Sequence, residues 1–500
     1  MGSYSTQFKT TSGDVRNLKT DVVIIPVYQK KKKDTSAVVW TDVLKTLDTA
    51  IGGHVKAVIE AEKFKGDCGK RKIIKTRPDD LVQARWIVVL GLGAPDKLDI
   101  RKATQAFLSA HKDTYGFENV NHTAVVLPDA SEKFLPQAVV FGALQSTYKT
   151  QEADPDKIHT LKSVTLVSSK AIAPVVLKTA EIMGFAESFA KDLCNRPANL
   201  KTAEDLAQAA LSYADLPNVT VDVLSDQKKI KKDMPAFWAV GQAASKISPL
   251  RFIKVHYKPA GKITRKIALV GKGVIFDTGG VQVKTGTYMN DMKFDMTGAA
   301  TVLAVVKACA ELKLKGVAVS AYVAATPNLI GEDAYLPDSI IDSASGKKIE
   351  IRHTDAEGRV TLADSVYKAT LDKPDEIVTI ATLTGSAVQA VGHCIALMGT
   401  NDKLVSRIEK SVKAIGEPVQ ALDLFEEDFE NIKSDRDAAD FANVSKGKTR
   451  GHMSAGAFVI SFANDIPTAH LDIAGGDAKD GNATGISVKG LIEFVKNSAG

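Results

Sequence analysis

Five carboxylate and amine side chains in two short stretches are the most informative feature of this 500-residue chain. The first, residues 270–300, interleaves charged residues with glycines and directly follows a short apolar run, residues 267–270. It contains Lys272, Asp277 and Asp295. A polar stretch that follows a buried strand places its side chains in the cleft where open α/β sheets bind ligands. We therefore expect these three side chains to point into such a cleft.

The second stretch, residues 353–364, places Asp355, Glu357 and Arg359 two residues apart. An extended backbone turns every second side chain to the same face. We therefore expect two carboxylates and a guanidinium to converge on one side of an extended segment.

Together the two stretches contain enough carboxylates for a two-metal site. Divalent cations need several oxygen ligands, and two ions about 3.5–4 Å apart need a bridging carboxylate to offset their repulsion. Asp277, Asp295, Asp355 and Glu357 supply these ligands. A single Asp is more often a solvated or helix-capping carboxylate, and Lys272 could simply form an ion pair with Asp277. The combination nevertheless favours a pair of metals.

The residues around these stretches resemble the leucyl aminopeptidases, also called cytosol aminopeptidases. The signature of that family, N-T-D-A-E-G-R-L, stands here as H-T-D-A-E-G-R-V in residues 353–360. Further matching segments are GKG at 271–273, FDTGG at 276–280, MKFDM at 292–296, NRPAN at 195–199, ATLTG at 381–385 and AHLDIAG at 469–475. The resemblance spans roughly residues 180–500, and the N-terminal third follows the family only in its general pattern.

This resemblance implies two divalent metal ions per subunit that activate a water for peptide hydrolysis. One ion would be held by Asp277, Asp355 and Glu357, and the other by Lys272, Asp277, Asp295 and Glu357. Zinc, manganese, magnesium and cobalt all accept such ligands. The free α-amino group of the substrate would bind one metal and Asp295, which would restrict the enzyme to N-terminal residues.

The resemblance also implies roles for two cationic side chains and a substrate pocket. Lys284 would polarise the scissile carbonyl, and Arg359 would hold a bicarbonate ion that carries a proton to the leaving amine. The simpler alternative for Lys284 is an exposed loop lysine. The simpler alternative for Arg359 is a counter-charge for Asp355 and Glu357. The pocket for the N-terminal side chain would be formed by Met292, Thr382, Leu383, Gly385 and Ala474.

Two residues depart from the family pattern. His353 stands where the family usually has Asn, next to the predicted ligands, and adds a group that titrates near pH 6–7. Asp477 follows Ala474 by three residues, where some relatives have an apolar residue. As a hypothesis, Asp477 favours basic N-terminal residues, unless its loop turns the side chain to solvent.

Composition fits an ordinary globular protein, with 44% hydrophobic and 25% charged residues. The net charge of +6 is weak for 500 residues, so no nucleic-acid partner is expected.

The four cysteines are isolated and resemble reduced cytosolic thiols. No apolar run is long enough for a membrane span. Gly2 fits a loose myristoylation pattern, and the basic residues 30–33 could act as a second membrane signal. We favour a solvated loop for residues 30–33 and expect no membrane partner.

The alternation of strand-like and amphipathic stretches predicts an α/β protein. A smaller N-terminal α/β domain of macro-like type (residues 1–170) should precede a larger α/β catalytic domain (171–500) with a mixed, mostly parallel central sheet. Strands are predicted at residues 22–27, 86–90, 123–127, 161–167, 267–270, 317–324, 376–380 and 470–473. Helices are predicted at residues 101–111, 135–144, 177–195, 297–312, 362–371 and 454–463.

Taken together, these patterns predict a cytoplasmic aminopeptidase that cleaves peptides and dipeptides and prefers leucine or another apolar N-terminal residue. By resemblance we expect a homohexamer. The alternative is a non-catalytic structural or DNA-binding member of the same family. The presence of all five predicted ligands together with Lys284 and Arg359 favours the enzyme.

Overall fold

The computed structural model describes residues 6–31, 36–128, 132–150, 160–447 and 449–499. The acylation pattern at Gly2 and the basic residues Lys32 and Lys33 lie outside these ranges. The chain divides into two compact units, Met1–Phe185 and Ala186–Gly500. None of the helices in the described ranges combines the length and apolar composition that a membrane span requires.

The first unit is a sheet with helices. Its strands are β1 (Gln7–Thr11), β2 (Val22–Lys31), β3 (Ser36–Val38), β4 (Arg71–Lys75), β5 (Trp86–Gly93), β6 (His122–Val126) and β7 (Ser163–Val167). They lie in the order β1-β7-β6-β2-β5-β4, with β3 beside β2. Its helices are α1 (Asp42–Ala50), α2 (His54–Ala61), α3 (Ile100–Asp113) and α4 (Leu135–Thr147). A long helix, α5 (Pro174–Asn195), crosses the division between the units.

The second unit is built on a larger sheet in the order β16-β15-β18-β14-β10-β11-β9-β8. Those strands are β8 (Val219–Leu224), β9 (Arg251–Tyr257), β10 (Arg265–Asp277), β11 (Val317–Asn328), β14 (Glu376–Ala381), β15 (Ile395–Gly399), β16 (Val419–Ala421) and β18 (Thr468–Asp472). The short strands are β12 (Ile340–Asp342), β13 (Lys348–Glu350), β17 (Phe441–Ala442), β19 (Ala478–Lys479) and β20 (Asn482–Ala483). The central strands β11, β10, β14 and β18 are parallel.

Helices accompany this sheet along its length. They are α6 (Ala203–Leu211), α7 (Gln227–Asp233), α8 (Pro235–Gly241), α9 (Thr297–Glu311), α10 (Glu357–Thr370), α11 (Gly385–Val391), α12 (Asp402–Ala414), α13 (Glu426–Glu430), α14 (Gly451–Ile460) and α15 (Val488–Asn497). The expected α/β class and mixed, mostly parallel sheet are confirmed. The central strands are buried along most of their length, as parallel strands between helices must be.

Two glycines bring α9 directly against the sheet. A Cβ on Gly271 would lie 2.4 Å from the carbonyl oxygen of Gly298, and a Cβ on Gly298 would lie 2.1 Å from that of Ile380. Neither position has space for a side chain, so the start of α9 packs backbone to backbone on β10 and β14. This contact places Asp295, just before α9, beside Lys272 of β10.

Candidate metal centre

The predicted site residues lie at the carboxyl ends of three neighbouring parallel strands. Lys272 and Asp277 belong to β10, Thr382 follows β14, and Ala474 follows β18. Glu357 is the first residue of α10. Ligands bind at this edge of open α/β sheets because the connecting loops and helix starts converge there.

Each of two lysines, Lys272 and Lys284, bridges a pair of carboxylates. Nζ of Lys272 lies 2.6 Å from Asp295 Oδ1 and 2.8 Å from Glu357 Oε1. Lys272 therefore pairs with these two residues rather than with Asp277.

Lys284 occupies the equivalent position between the other two carboxylates. Its Nζ lies 2.8 Å from Asp277 Oδ2 and 2.5 Å from Asp355 Oδ1. Its side chain is 14% exposed, so it is not the exposed loop lysine that the sequence left open.

The carboxylates are close enough to share cations. Oxygens of Asp277, Asp355 and Glu357 lie within 4.8 Å of one another. Within the described ranges, Asp295 Oδ2 is buried and has no hydrogen-bond partner, although a buried carboxylate oxygen normally has one. Convergent carboxylates with an unsatisfied oxygen fit hard or borderline divalent cations.

Hydrogen bonds join the two sequence stretches that supply these ligands. The Thr354 hydroxyl donates to the Gly279 carbonyl at 2.6 Å and accepts from the Gln282 amide at 3.0 Å. The Thr354 amide in turn donates to Gln282 Oε1 at 2.8 Å. Gly279 has a φ of 88°, a left-handed conformation that favours glycine. The glycine-rich loop is thus fixed against the segment that carries Asp355.

Two supporting residues were missed by the sequence reasoning. Nδ2 of Asn328, at the end of β11, donates to Asp277 Oδ1 at 2.8 Å and to the Thr354 carbonyl at 3.1 Å. The Tyr335 hydroxyl donates to the same carbonyl at 2.8 Å. Asn328 could have been found as a polar residue at the end of an apolar strand beside β10. No local pattern indicates Tyr335.

Thr382 does more than line a pocket. Its hydroxyl donates to Asp295 Oδ1 at 2.8 Å, and its carbonyl accepts from Lys272 Nζ at 3.1 Å. The loop after β14 therefore orients both of these predicted ligands.

The four carboxylates of the cluster outnumber its two lysines, and the pKa values of the carboxylates reflect this imbalance. Burial, followed by the charge of Asp277, raises the pKa of Asp355 to about 7. Burial also opposes a charge on Asp277, but Lys284 and Lys272 hold the pKa of Asp277 below its usual value. Burial raises the pKa of Asp295 well above its usual range. Additional cations would relieve this imbalance.

Lys272 is held as an ammonium by its neighbours. Burial alone would lower its pKa, but Asp295, Glu357 and Asp277 raise the pKa of Lys272 above its usual value. A lysine can bind a metal only as the neutral amine, so a cation would have to displace its proton. Metal binding would accordingly release protons.

The expectation that residues 353–364 form an extended segment is wrong. Glu357 begins α10, and residues two apart on a helix point about 200° from each other. Glu357 lines the cavity described below, whereas Arg359 is absent from its walls and donates to the Asn443 carbonyl at 2.8 Å. Burial lowers the pKa of Arg359 to about 10. The three side chains therefore do not share one face.

A cavity of about 600 Å³ opens above the cluster. Its walls include the predicted ligands Lys272, Asp277, Asp295, Asp355 and Glu357, together with Lys284. They also include all five predicted pocket residues, Met292, Thr382, Leu383, Gly385 and Ala474. His353 and Asp477, the two departures from the family pattern, face the same space.

His353 contacts the ligand segment directly. Its Nδ1 accepts a hydrogen bond from the Asp355 amide at 3.1 Å. Burial, followed by the charge of Lys284, lowers the pKa of His353. This hydrogen bond requires an unprotonated Nδ1, in agreement with the direction of the shift.

Comparison with family models identifies the family of this chain. The model described as the cytosol aminopeptidase family, catalytic domain, matches residues 188–492. The chain belongs to the cytosol aminopeptidase family. The N-terminal domain model of the same family matches residues 24–154. The family resemblance read from the signature is thus confirmed, and family membership supports aminopeptidase activity.

Relatives in this family match the chain over most of its length. A probable cytosol aminopeptidase of Acidovorax ebreus (strain TPSY) is 37% identical over 460 residues, which are 90% of each chain. One of Pseudomonas fluorescens (strain SBW25) is 32% identical over 501 residues, 96% of this chain and 97% of the relative. Leucine aminopeptidase 2, chloroplastic, of Arabidopsis thaliana is 32% identical over 507 residues, 97% and 85% of the two chains.

A solved structure shows the same fold. The bottromycin maturation enzyme BotP, in complex with Mn, superposes with a TM-score of 0.82 at 24% identity and covers 96% of this chain and 100% of its own. Because the sequence identity is low, this likeness supports the fold alone.

Proposed function

We propose that this chain is a metal-dependent aminopeptidase that uses two divalent cations to hydrolyse the first peptide bond of peptides and dipeptides. The observation that carries the proposal is the convergence of four carboxylates and two lysines at the base of an open cavity. Apolar residues on the cavity walls suit leucine or another apolar N-terminal side chain.

The proposed ligand sets follow the grouping of the side chains. Asp277, Asp355 and Glu357, whose oxygens lie within 4.8 Å of one another, would hold one ion. Lys272 and Asp295, with Asp277 and Glu357 shared between the sites, would hold the other. When bound, the ions would acidify a water and polarise the scissile carbonyl. Zinc, manganese, magnesium or cobalt would suit these ligands.

The protein's own residues would recognise and orient the substrate. Asp295, positioned by the Thr382 hydroxyl, would receive the free α-amino group, which an internal residue lacks. Lys284 would stabilise the negative charge that develops on the carbonyl oxygen, a contribution commonly worth about 3 kcal/mol. Its anchoring by Asp277 and Asp355 keeps the ammonium beside the reacting bond.

Arg359 has the least direct support. Its guanidinium is 9% exposed, and its Nε has no hydrogen-bond partner in the described ranges. A bicarbonate bound there as a proton carrier stays a prediction from the resemblance. Dependence of the rate on added bicarbonate, lost in Arg359→Ala, would support it.

A non-catalytic role is the weaker alternative, because every predicted ligand is present and faces the cluster. We extend the expectation of a cytoplasmic homohexamer to this chain from the family resemblance. Light scattering of the purified protein would test the oligomeric state, with six copies of the 53.4 kDa chain expected.

A blocked substrate tests the proposed specificity for a free N-terminus. Leucine p-nitroanilide should be hydrolysed, and N-acetyl-leucine p-nitroanilide should not, because acetylation removes the amine that Asp295 would bind. Equal hydrolysis of both compounds would contradict an aminopeptidase. Sequential release of residues from the amino end of a pentapeptide, followed by mass spectrometry, provides an independent readout.

A further inference from the structure

Two carboxylates that line the cavity, those of Asp291 and Asp477, belong to neither lysine-bridged pair, and Asp291 is exposed. Asp477 lines the same cavity and is half-buried. In the described ranges, no lysine or arginine side chain forms an ion pair with it. The backbone amides of Asp477 and Ala478 favour its charged form. A partly desolvated carboxylate without a cationic partner is costly.

The backbone around Asp477 is fixed, so the carboxylate is held at the cavity. The Asp477 amide donates to the Ile473 carbonyl at 3.0 Å, and the Asp477 carbonyl accepts from the Thr484 amide at 2.9 Å. A Cβ on Gly475 would lie 1.9 Å from the Gly392 carbonyl oxygen, so this loop packs tightly on the end of α11. These contacts oppose rotation of the segment towards solvent.

Part of the wall of this cavity is apolar. Met292, Phe294, Leu383, Val388 and Ala474 contribute to the same cavity. Lysine and arginine combine a long aliphatic stem with a terminal charge, and they bury the stem against apolar surface while pairing the charge. A pocket with apolar residues in its walls and a single half-buried carboxylate outside the lysine-bridged pairs matches that shape and chemistry.

A cationic partner would change the protonation state of Asp477. Burial raises the pKa of Asp477 to about 7, and the negative charge of Asp472 acts in the same direction. Backbone amides and the more distant Lys272 act in the opposite direction. A cation placed against the carboxylate would stabilise its charged form.

We propose that Asp477 is a specificity-determining residue that admits peptides with N-terminal arginine or lysine, in addition to those with apolar residues. The inference rests on the proposed aminopeptidase function and names a further substrate class for the same site. Asp477 would contact the substrate side chain and take no part in bond cleavage.

The first test uses the wild-type protein and two pairs of p-nitroanilides. Arginine is compared with citrulline, which has nearly the same shape without the charge, and lysine with norleucine, which lacks the ammonium group. We expect kcat/KM to favour each charged member by about tenfold or more, because only that member pairs with the buried carboxylate. Equal or better hydrolysis of the neutral members would overturn the inference.

The second test removes the charge and keeps the shape. In Asp477→Asn the arginine-to-citrulline ratio should fall to about one, mainly through a higher KM for arginine. The matched control is Asp480→Asn, an exposed residue of the same loop with a φ of 51°, a conformation that asparagine tolerates. It should keep the wild-type ratio.

The outcomes separate this inference from the proposed function. If leucine is cleaved but Asp477→Asn leaves the arginine-to-citrulline ratio unchanged, the specificity role is wrong and the aminopeptidase stands. An equal fall for every substrate would show a structural role and also reject the inference. If the wild-type protein cleaves none of these compounds with any divalent metal, both the function and the inference fail.

Discussion

The space that Lys272 needs is provided by Gly358. A Cβ on Gly358 would lie 2.4 Å from Lys272 Cε and 2.6 Å from its Nζ. Gly358 is the second residue of α10 and has no positive φ, so alanine there would suit the helix better than glycine. The absence of a side chain at Gly358 therefore makes room for Lys272 and does not stabilise the helix.

Gly358→Ala should displace the Lys272 ammonium and lower kcat/KM for leucine p-nitroanilide by about tenfold or more, because small displacements at a reaction centre are costly. The free energy of unfolding should change by less than about 1 kcal/mol. The control is Gly116→Ala, where no atom lies within 4 Å of the added Cβ. Full activity in Gly358→Ala would contradict the role assigned to this space.

His470 is a core histidine. It is 0% exposed, and its Nδ1 lies 2.7 Å from the Thr379 hydroxyl. Burial, followed by the charge of Arg359, lowers the pKa of His470 from 6.5 to about 3. Below pH 6.5 the unfolded chain therefore binds a proton that the folded chain does not.

This difference predicts a pH dependence of stability. The contribution of His470 is fully present above pH 6.5 and is lost as the pH falls towards 3. Between pH 7 and pH 5 the wild type should lose about 2 kcal/mol more unfolding free energy than His470→Asn, which cannot titrate. Urea unfolding at both pH values measures the slopes. Parallel slopes would show that this histidine is protonated in the folded protein.

Motif spacing identified the ligand residues better than it identified their geometry. Asp277, Asp355 and Glu357 converge as the residue types suggested. Arg359 does not, because α10 begins at Glu357 and turns the guanidinium away from the cavity. A polar run with a glycine gives little sign of a helix start. The sequence therefore could not establish where α10 begins or which way its side chains point.

At the scale of elements, buried apolar runs predicted the core strands and helices well. The run at residues 267–270 is only part of β10, which continues to Asp277. Gly271, Lys272 and Gly273 interrupt the apolar pattern, but their backbones pair with β11. Tertiary pairing, absent from the local sequence, extends the strand and carries Lys272 into the site.

One buried side chain of α10 links it to two other segments. Asp364 accepts hydrogen bonds from the Phe237 amide of α8 at 3.0 Å and from the Ala344 amide at 2.7 Å. Asp364 is 0% exposed. The carboxylate thus satisfies one amide at the start of α8, which begins with Pro235, and one in the segment between β12 and β13.

Asp364→Asn should destabilise the protein by about 2 kcal/mol, since one of the two amides would face an NH₂ group instead of an acceptor. The control is Asp402→Asn in the first turn of α12, an exposed position where the loss should stay below about 0.5 kcal/mol. Equilibrium urea unfolding compares them. Equal stability of the two variants would contradict the capping role.

At the scale of the whole molecule, the chain has two units with separate hydrophobic cores. The sequence predicted two α/β domains with a boundary after residue 170, whereas the division after Phe185 lies within α5, which begins at Pro174. A continuous helix carries no local signal of a boundary, so its exact place depends on tertiary contacts.

Metal binding should stabilise the unit that contains the ligands. At about 100 times the dissociation constant, a bound ion adds roughly 2.7 kcal/mol to the folded state. Differential scanning calorimetry of the full chain should show a transition that rises by several degrees with manganese. Glu357→Gln should lose most of this shift. No shift in the wild type, or an equal shift in the variant, would contradict metal binding by this cluster.

The most direct test of the account is hydrolysis of leucine p-nitroanilide by the metal-stripped protein before and after reloading with zinc or manganese, alongside Glu357→Gln. We predict no activity without metal, recovery on reloading, and no recovery in the variant, because Glu357 would be shared by both ions. Activity that persists after stripping, or that metal restores equally in the variant, would contradict a metal-dependent site built on this cluster.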